Sequence, residues 1–295
     1  MSEKRPDWSR RKLIQYSGVG IGLAIAGCNS ADNSDDNSDD GDSGLPDDPA
    51  DAFELAGDGS AGFREWLGPE FTLESRTDGE QRQLFQFVDY GEIPDGEMEQ
   101  QRNQRETFAE QIGISPESIE RELLLGPITD NLPYRTLFGT FDAAALIDSF
   151  ESSGFERTSE PGEFVIFDES FAISSDTIIE HPQSATLVEN TTNGRQSFEG
   201  IDEEMELLLD LVPTGPQITI NSRGDHDDIV MDGLTIFELN GPVATHGIRT
   251  LIFEDASAAT SERVREIEID GSARDEVITE EIQGRVAMIE SRRSE

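Results

Sequence analysis

Charge constrains this chain more than any other property: 63 acidic residues face 22 basic ones, for a formal charge of −41. Repulsion of that size opposes a compact fold in dilute buffer. In molar salt the Debye length shrinks to about 3 Å and most of the repulsion is screened. Lys4 and Lys12 are the only lysines, and every basic residue after position 12 is arginine. The acids are spread along the chain rather than gathered in one patch. That pattern reads as a hydrated surface rather than a dock for a cationic partner. Phosphate recognition needs a basic footprint, and none exists here, so nucleic acid is excluded as a partner.

The N-terminus has a different character. Basic residues up to Lys12 precede an uncharged, glycine-rich apolar run, Tyr16 to Ala26, and then Gly27-Cys28. A basic start, a short apolar stretch and small residues before a cut form the layout of an export signal. The run holds 11 residues, whereas a bilayer-spanning helix needs about 20. Ser9-Arg10-Arg11-Lys12-Leu13-Ile14 resembles the twin-arginine export signal, whose pathway carries folded proteins. Ile25-Ala26-Gly27-Cys28 resembles a lipobox. That resemblance implies cleavage before Cys28, lipid on its sulfur and a two-chain anchor. Cys28 is the only cysteine, so an internal disulfide and a cysteine metal site are both excluded. Removing residues 1–28 leaves 17 basic and 61 acidic residues, a formal charge of −44. This acidic, lysine-free composition resembles that of haloarchaeal proteins. The partners so implied are the twin-arginine translocase during export and the membrane afterwards, at its extracellular face.

Residues 29–52 form an acidic spacer of Asp, Asn, Ser and Gly with little to bury, expected to be disordered and extended by self-repulsion. It lacks the ligand spacing and bidentate glutamate of an EF-hand loop. Residues 53–295 are long enough for a sizeable core. They read as α+β: an antiparallel sheet with helices on one face.

Gln83 to Tyr90 predicts a strand, Glu97 to Ile112 a helix, and Ser115-Pro116-Glu117-Ser118 the start of a second helix. Tyr134 to Phe141 predicts a strand. Asp142 caps a helix with Leu146, Ile147 and Phe150 on one face, and Gly154 ends it. Strands over Glu163 to Phe167 and Phe171 to Ile179 follow, then a helix over Gly200 to Leu211 and a strand over Gln217 to Asn221. Residues 134–222 therefore read as a ferredoxin-like βαββαβ unit. A strand over Thr245 to Glu254, a helix over Ala256 to Arg265 and a hairpin turning near Gln283-Gly284 suggest a second, similar sheet and hence a duplication. The order resembles α+β domains of haloarchaeal lipoproteins of uncharacterised function, over Tyr134 to Ile289, and brings no active site with it.

Candidate sites are few. Asp225-His226-Asp227-Asp228 is the densest ligand-like cluster and a candidate divalent-cation site. Adjacent loop residues rarely all point one way, and acidic loops are expected throughout. Of the three histidines, His181 precedes a proline and His246 lies in a strand, which suits structural roles. No Gly-x-Ser-x-Gly elbow and no glycine-rich phosphate loop occurs in the sequence. Carboxylates are too abundant for any pair to mark a glycosidase. Trp66 is the only tryptophan beyond the signal. Asn190-Thr191-Thr192 is an N-glycosylation acceptor in a stretch, Glu189 to Arg195, expected to be a loop. No cofactor is implied.

The expectation is a lipid-anchored surface protein whose folded part is a non-enzymatic binding or interaction module, for a protein or small-molecule partner the sequence does not name. Two alternatives stay open. One is an exported carboxylate- or metal-dependent hydrolase centred on Asp225 to Asp228. The other is a transporter-associated solute-binding protein with two lobes.

Overall fold

A computed structural model describes residues 52–57, 63, 66, 83–93, 99–127, 134–181, 184–192, 203–222, 228–240, 243–269 and 274–293. The chain divides into two compact units, one containing Ala61–Asp202 and Gly215–Thr219, the other containing Glu203–Thr214 and Ile220–Glu295 together with residues 52–57.

The first unit contains β1 (Gln83–Asp89), α1 (Glu99–Ile112), β2 (Ile119–Pro127), β3 (Tyr134–Gly139), α2 (Ala143–Ser152), β4 (Arg157–Ser159), β5 (Val165–Phe167), β6 (Phe171–Ile173), β7 (Thr177–Glu180) and α3 (Ser184–Thr192). Its strands lie in the order β1-β2-β3-β7-β6-β5-β4, and every registered pair among them is antiparallel. α1 is polar overall, but Gln101, Phe108, Ala109 and Ile112 are buried along one stripe, at the helical spacing. The Asp142 carboxylate accepts from the Ala145 N–H at 3.1 Å and caps α2. Leu146 and Phe150 point inward, and Gly154 ends the helix at a φ of 87°.

α1 and α2 cover the same sheet face. Arg135 rests on Phe108 of α1 and Phe171 on Phe150 of α2. Both Arg135 and Phe171 stand in register with Glu180, so they share its side. Phe138, three residues on from Arg135, faces the other way and packs on Trp66 at 5.8 Å.

Three expectations fail in this unit. Ser115-Pro116-Glu117-Ser118 opens no helix: Pro116–Ser118 is a single 3-10 turn leading into β2. Pairing with β1 and β3 makes this stretch an inner strand, and Leu123 and Leu124, which point to opposite faces, are both buried. Phe171 to Ile179 is two strands, because Ser174 breaks it. The Ser174 hydroxyl oxygen accepts from the Thr177 N–H at 2.9 Å and closes a turn.

The ferredoxin-like order is the third correction. That order needs parallel strands joined across a helix, and such a crossover takes a dozen or more residues. Here three-residue strands joined by tight turns follow α2, and the chain returns as the antiparallel meander β4 to β7.

The second unit contains α4 (Glu203–Leu211), β9 (Ile229–Asn240), β10 (Val243–Phe253), α5 (Ser261–Ile269), β11 (Glu276–Gln283) and β12 (Val286–Arg292). Strand β8 (Gln217–Ser222) is divided at Thr219 between the units. The order is β11-β12-β10-β9-β8. Here helices sit on both faces, contrary to the one-sided expectation. Gly233 stands in register with Thr250, and a Cβ on it would lie 2.8 Å from Val212 and 3.1 Å from Leu208 of α4. Arg249, the neighbour of Thr250 and so on the opposite face, donates to the Ile267 carbonyl of α5 at 3.1 Å. Val286, Ala287, Met288 and Ile289 are accordingly all buried, as a strand covered on both sides requires.

α5 starts later than the expected Ala256, because the Thr260 hydroxyl accepts from the Arg263 N–H at 3.3 Å and sets the cap. The described chain begins at Ala52, the last residue of the expected tether. The Ala52 carbonyl accepts from Gln283, and the Gly57 N–H donates to the Leu211 carbonyl at 3.0 Å.

Candidate functional site

Cys28, Arg10 and Arg11 lie outside the described residues, as do Asp225, His226 and Asp227. Asp228 is described, and its carboxylate is engaged: Arg263 donates to its two oxygens at 2.8 and 2.7 Å. Among the described residues no group of three or more His, Cys, Asp or Glu could hold a metal ion. Asn190 sits in α3, not in a loop. His246 contacts Glu290 at 3.0 Å, and its ring lies 5.3 Å from that of Phe237, tilted by 44°. Trp66 is buried against Phe138 and Phe164, so it offers no sugar platform.

The first unit carries a polar row across four strands. From the end of β1, the Tyr90 hydroxyl donates to Glu122 of β2 at 2.6 Å. Arg135 of β3 meets the other oxygen of Glu122 at 2.6 Å, and its guanidinium lies 3.9 Å above the Phe108 ring. Glu180 of β7 stands next in register. Burial pushes the Glu180 carboxyl above its usual range; Arg135 opposes that and Glu122 adds to it. Burial, reinforced by the charge on Glu122, holds the Tyr90 phenol well above its ordinary value. Arg105 of α1 lies 4.7 Å from the Tyr90 ring centre.

Beside this row opens a pocket of about 380 Å³, lined by Asp89, Tyr90, Arg105, Glu117, Glu120 and Arg121 among others. Arg121 lies over the Phe138 ring at 5.4 Å. The Gly91 N–H donates to Asp89 at 2.9 Å. The Ser115 hydroxyl donates to Glu117, and that bond holds the Glu117 carboxyl below its usual range, with Arg105 adding to the effect. Residues of both signs line the pocket, and Arg121, in register with Phe138, directs its side chain to the sheet face opposite Arg105.

The second unit buries a second charged group. Arg249 grips Asp232 with two N–H groups, at 3.0 and 2.6 Å. Its third nitrogen lies 3.7 Å from Glu268. Glu268 is fully buried, accepts from Arg274 at 2.8 Å, and also accepts from Ser291. Arg274 fits because Gly247 has no side chain: a Cβ there would stand 2.9 Å from its guanidinium. Burial works against the charge on Arg249, but Asp232 and Glu268 outweigh it and raise its pKa. Two carboxylates and two guanidinium groups balance, which is the condition for burying charge. This closed group is a structural joint between β9, β10, β12 and α5.

His181 gives a pH test. It is 4% exposed, and burial holds its imidazole down to about 4, against about 6.5 when unfolded. Between those values the unfolded chain takes a proton that the folded chain refuses, so stability is lost as pH falls from about 6.5 to about 4. The full difference is about 3 kcal/mol. Glu180, with its raised pKa, contributes the opposite slope: its stabilisation is present at low pH and lost as pH rises. Comparison with His181→Gln isolates the histidine. Unfolding free energies at neutral and mildly acidic pH, in constant molar KCl, should show the acid loss reduced in the variant. Identical pH dependence in the two proteins would refute the assignment.

Sequence reasoning missed both polar groups. Glu122 lies in Ile119-Glu120-Arg121-Glu122-Leu123, where only its position opposite β3 separates it from exposed Glu120. The one available signal was weak: an acid inside an apolar strand run, as for Asp232 in Ile229 to Ile236.

No family model matches this chain, and none of the curated proteins compared with it does. Among solved structures, crystal form III of TP0453 aligns over 71% of this chain and 88% of its own, at 9% identity and a TM-score of 0.41. Crystal form I of TP0453 aligns over the same shares at 8% identity and a TM-score of 0.39. Likeness at that level assigns neither fold nor activity.

Proposed function

We propose that this chain is a lipid-anchored surface protein of a salt-adapted cell, and that its folded part is a non-enzymatic binding module held at the extracellular face of the membrane. The observation that carries this reading is Cys28. The only cysteine in 295 residues ends an apolar run that starts just after Arg10-Arg11. The mature charge of −44 and the absence of lysine beyond position 12 support adaptation to high salt. Asn190 is a glycosylation acceptor within the same proposal. The hydrolase reading is weaker, since Asp228 is held by Arg263. The solute-binder reading has one point in its favour, the division into two compact units, and scattering profiles that change with added solute would favour it.

Mass spectrometry of the mature N-terminus tests the anchor. The expected product begins at Cys28 and carries lipid. An intact Met1 or an unmodified Cys28 would overturn it.

A further inference from the structure

We infer that the two units are copies of one β-β-β-α-β-β unit, and that Arg135 and Arg249, on the third strand of each, are the same clamp present twice. The inference goes beyond the anchor and the binding module and rests on neither.

The first observation is topological. Set β4 and β5 aside, and the first unit runs β1, β2, β3, α2, β6, β7, with its strands in the order β1-β2-β3-β7-β6. The second runs β8, β9, β10, α5, β11, β12, in the order β8-β9-β10-β12-β11. In both, the last strand enters between the third and the fourth. The repeated element is therefore not the ferredoxin-like order. Antiparallel meanders are common, so strand order alone does not establish a copy.

The register is the second observation. Arg135-Thr136-Leu137 and Arg249-Thr250-Leu251 are the same three residues. Leu137 stands opposite Glu122, and Leu251 opposite Asp232. Each arginine reaches diagonally to that acid on the second strand, at 2.6 Å in both units. Three residues on from the arginine, Phe138 and Ile252 meet the first residue of the last strand, Thr177 and Val286. A one-residue slip would turn the acid to the other face, so this match is independent of strand order.

The cover agrees as well. The helix after the third strand lies on the arginine face: Phe150 of α2 packs on Phe171, and Ile267 of α5 accepts from Arg249. The chain before the first strand covers the opposite face, through Trp66 on Phe138 and through α4 close to Gly233. The copies differ by insertion. Residues 223–228 join β8 to β9, whereas the connection from β1 to β2 holds α1. Residues 270–275 join α5 to β11, whereas β4 and β5 stand between α2 and β6. The residues lining the pocket beside Tyr90 all lie between Asp89 and Arg121. That pocket is thus an addition of the first copy, carried on a connection rather than on the shared scaffold.

A crystal structure of the full chain tests the duplication. Superposing β8, β9, β10 and β12 on β1, β2, β3 and β7 should bring Arg249 onto Arg135 and Asp232 onto Glu122. The Cα atoms should coincide more closely than the roughly 3.3 Å that a one-residue slip introduces. A best superposition in another register, or α2 and α5 on opposite faces, would overturn the duplication. Paired substitutions in the full chain, in molar KCl, test the clamp. Arg135→Met should lower the folding equilibrium constant at least about tenfold, and adding Glu122→Leu should recover part of that loss. Arg249→Met followed by Asp232→Leu should behave in the same way. Purely additive effects in either pair would refute a shared clamp.

Discussion

Glu268→Leu is expected to destabilise the second unit by about 3–5 kcal/mol, the usual consequence of removing one partner from a buried ion pair. Glu268 is fully buried and receives Arg274 and Ser291, with Arg249 nearby. Its loss takes from the Arg274 guanidinium, 4% exposed, the carboxylate it donates to at 2.8 Å. Arg249 keeps Asp232 and is affected less. Replacing Arg274 by Met in the same chain removes the guanidinium as well, so the double variant should recover much of the loss. Hydrogen exchange read at β10 and β12, alongside denaturant unfolding in constant molar KCl, places the effect in the right unit. A double variant no more stable than Glu268→Leu would sink the argument.

Salt should produce the second large effect. With a mature charge of −44, lowering KCl from molar to about 0.1 M lengthens the Debye length from about 3 Å to about 10 Å. Repulsion across the surface then acts nearly unscreened. A stabilisation of about 4 kcal/mol by molar salt corresponds to roughly 10 °C in midpoint for a domain of this size. Exposed pairs such as Arg292–Glu276 run the other way, but each contributes at most about 1 kcal/mol. The buried group around Glu268 should be indifferent to salt, because screening ions do not reach it. Thermal unfolding at the two salt levels is the measurement. Equal midpoints would mean that the acidic surface imposes no dependence on salt.

The two predictions divide along the line between what was legible in the sequence and what was not. The aromatic and apolar alternation of β1, the Asp142 cap of α2 and the Gly284 turn of the last hairpin could all be read from a few neighbouring residues. β9 was missed because Asp232 and Gly233 interrupt its apolar pattern. Asp232 is buried only because Arg249 reaches it, and Gly233 is there because α4 passes close. The ferredoxin-like order failed for a related reason. The sequence of strands and helices was partly right, but pairing direction depends on which strand the chain returns to. The pocket was invisible too. Its lining residues Asp89, Arg105 and Glu120 come from three separate stretches of the chain, and nothing local marks them as neighbours.

The sequence alone determined the charge, the absence of lysine beyond position 12, the lone cysteine and most individual strands and helices, because composition and short-range periodicity need no partner. Only the tertiary structure decided which acids are buried and which are merely hydrated. Glu120 and Glu122 differ in that respect by two positions. What separates them is a cross-strand neighbour: Glu122 meets Arg135 and Tyr90, and burial of a carboxylate is tolerated only where such partners replace water.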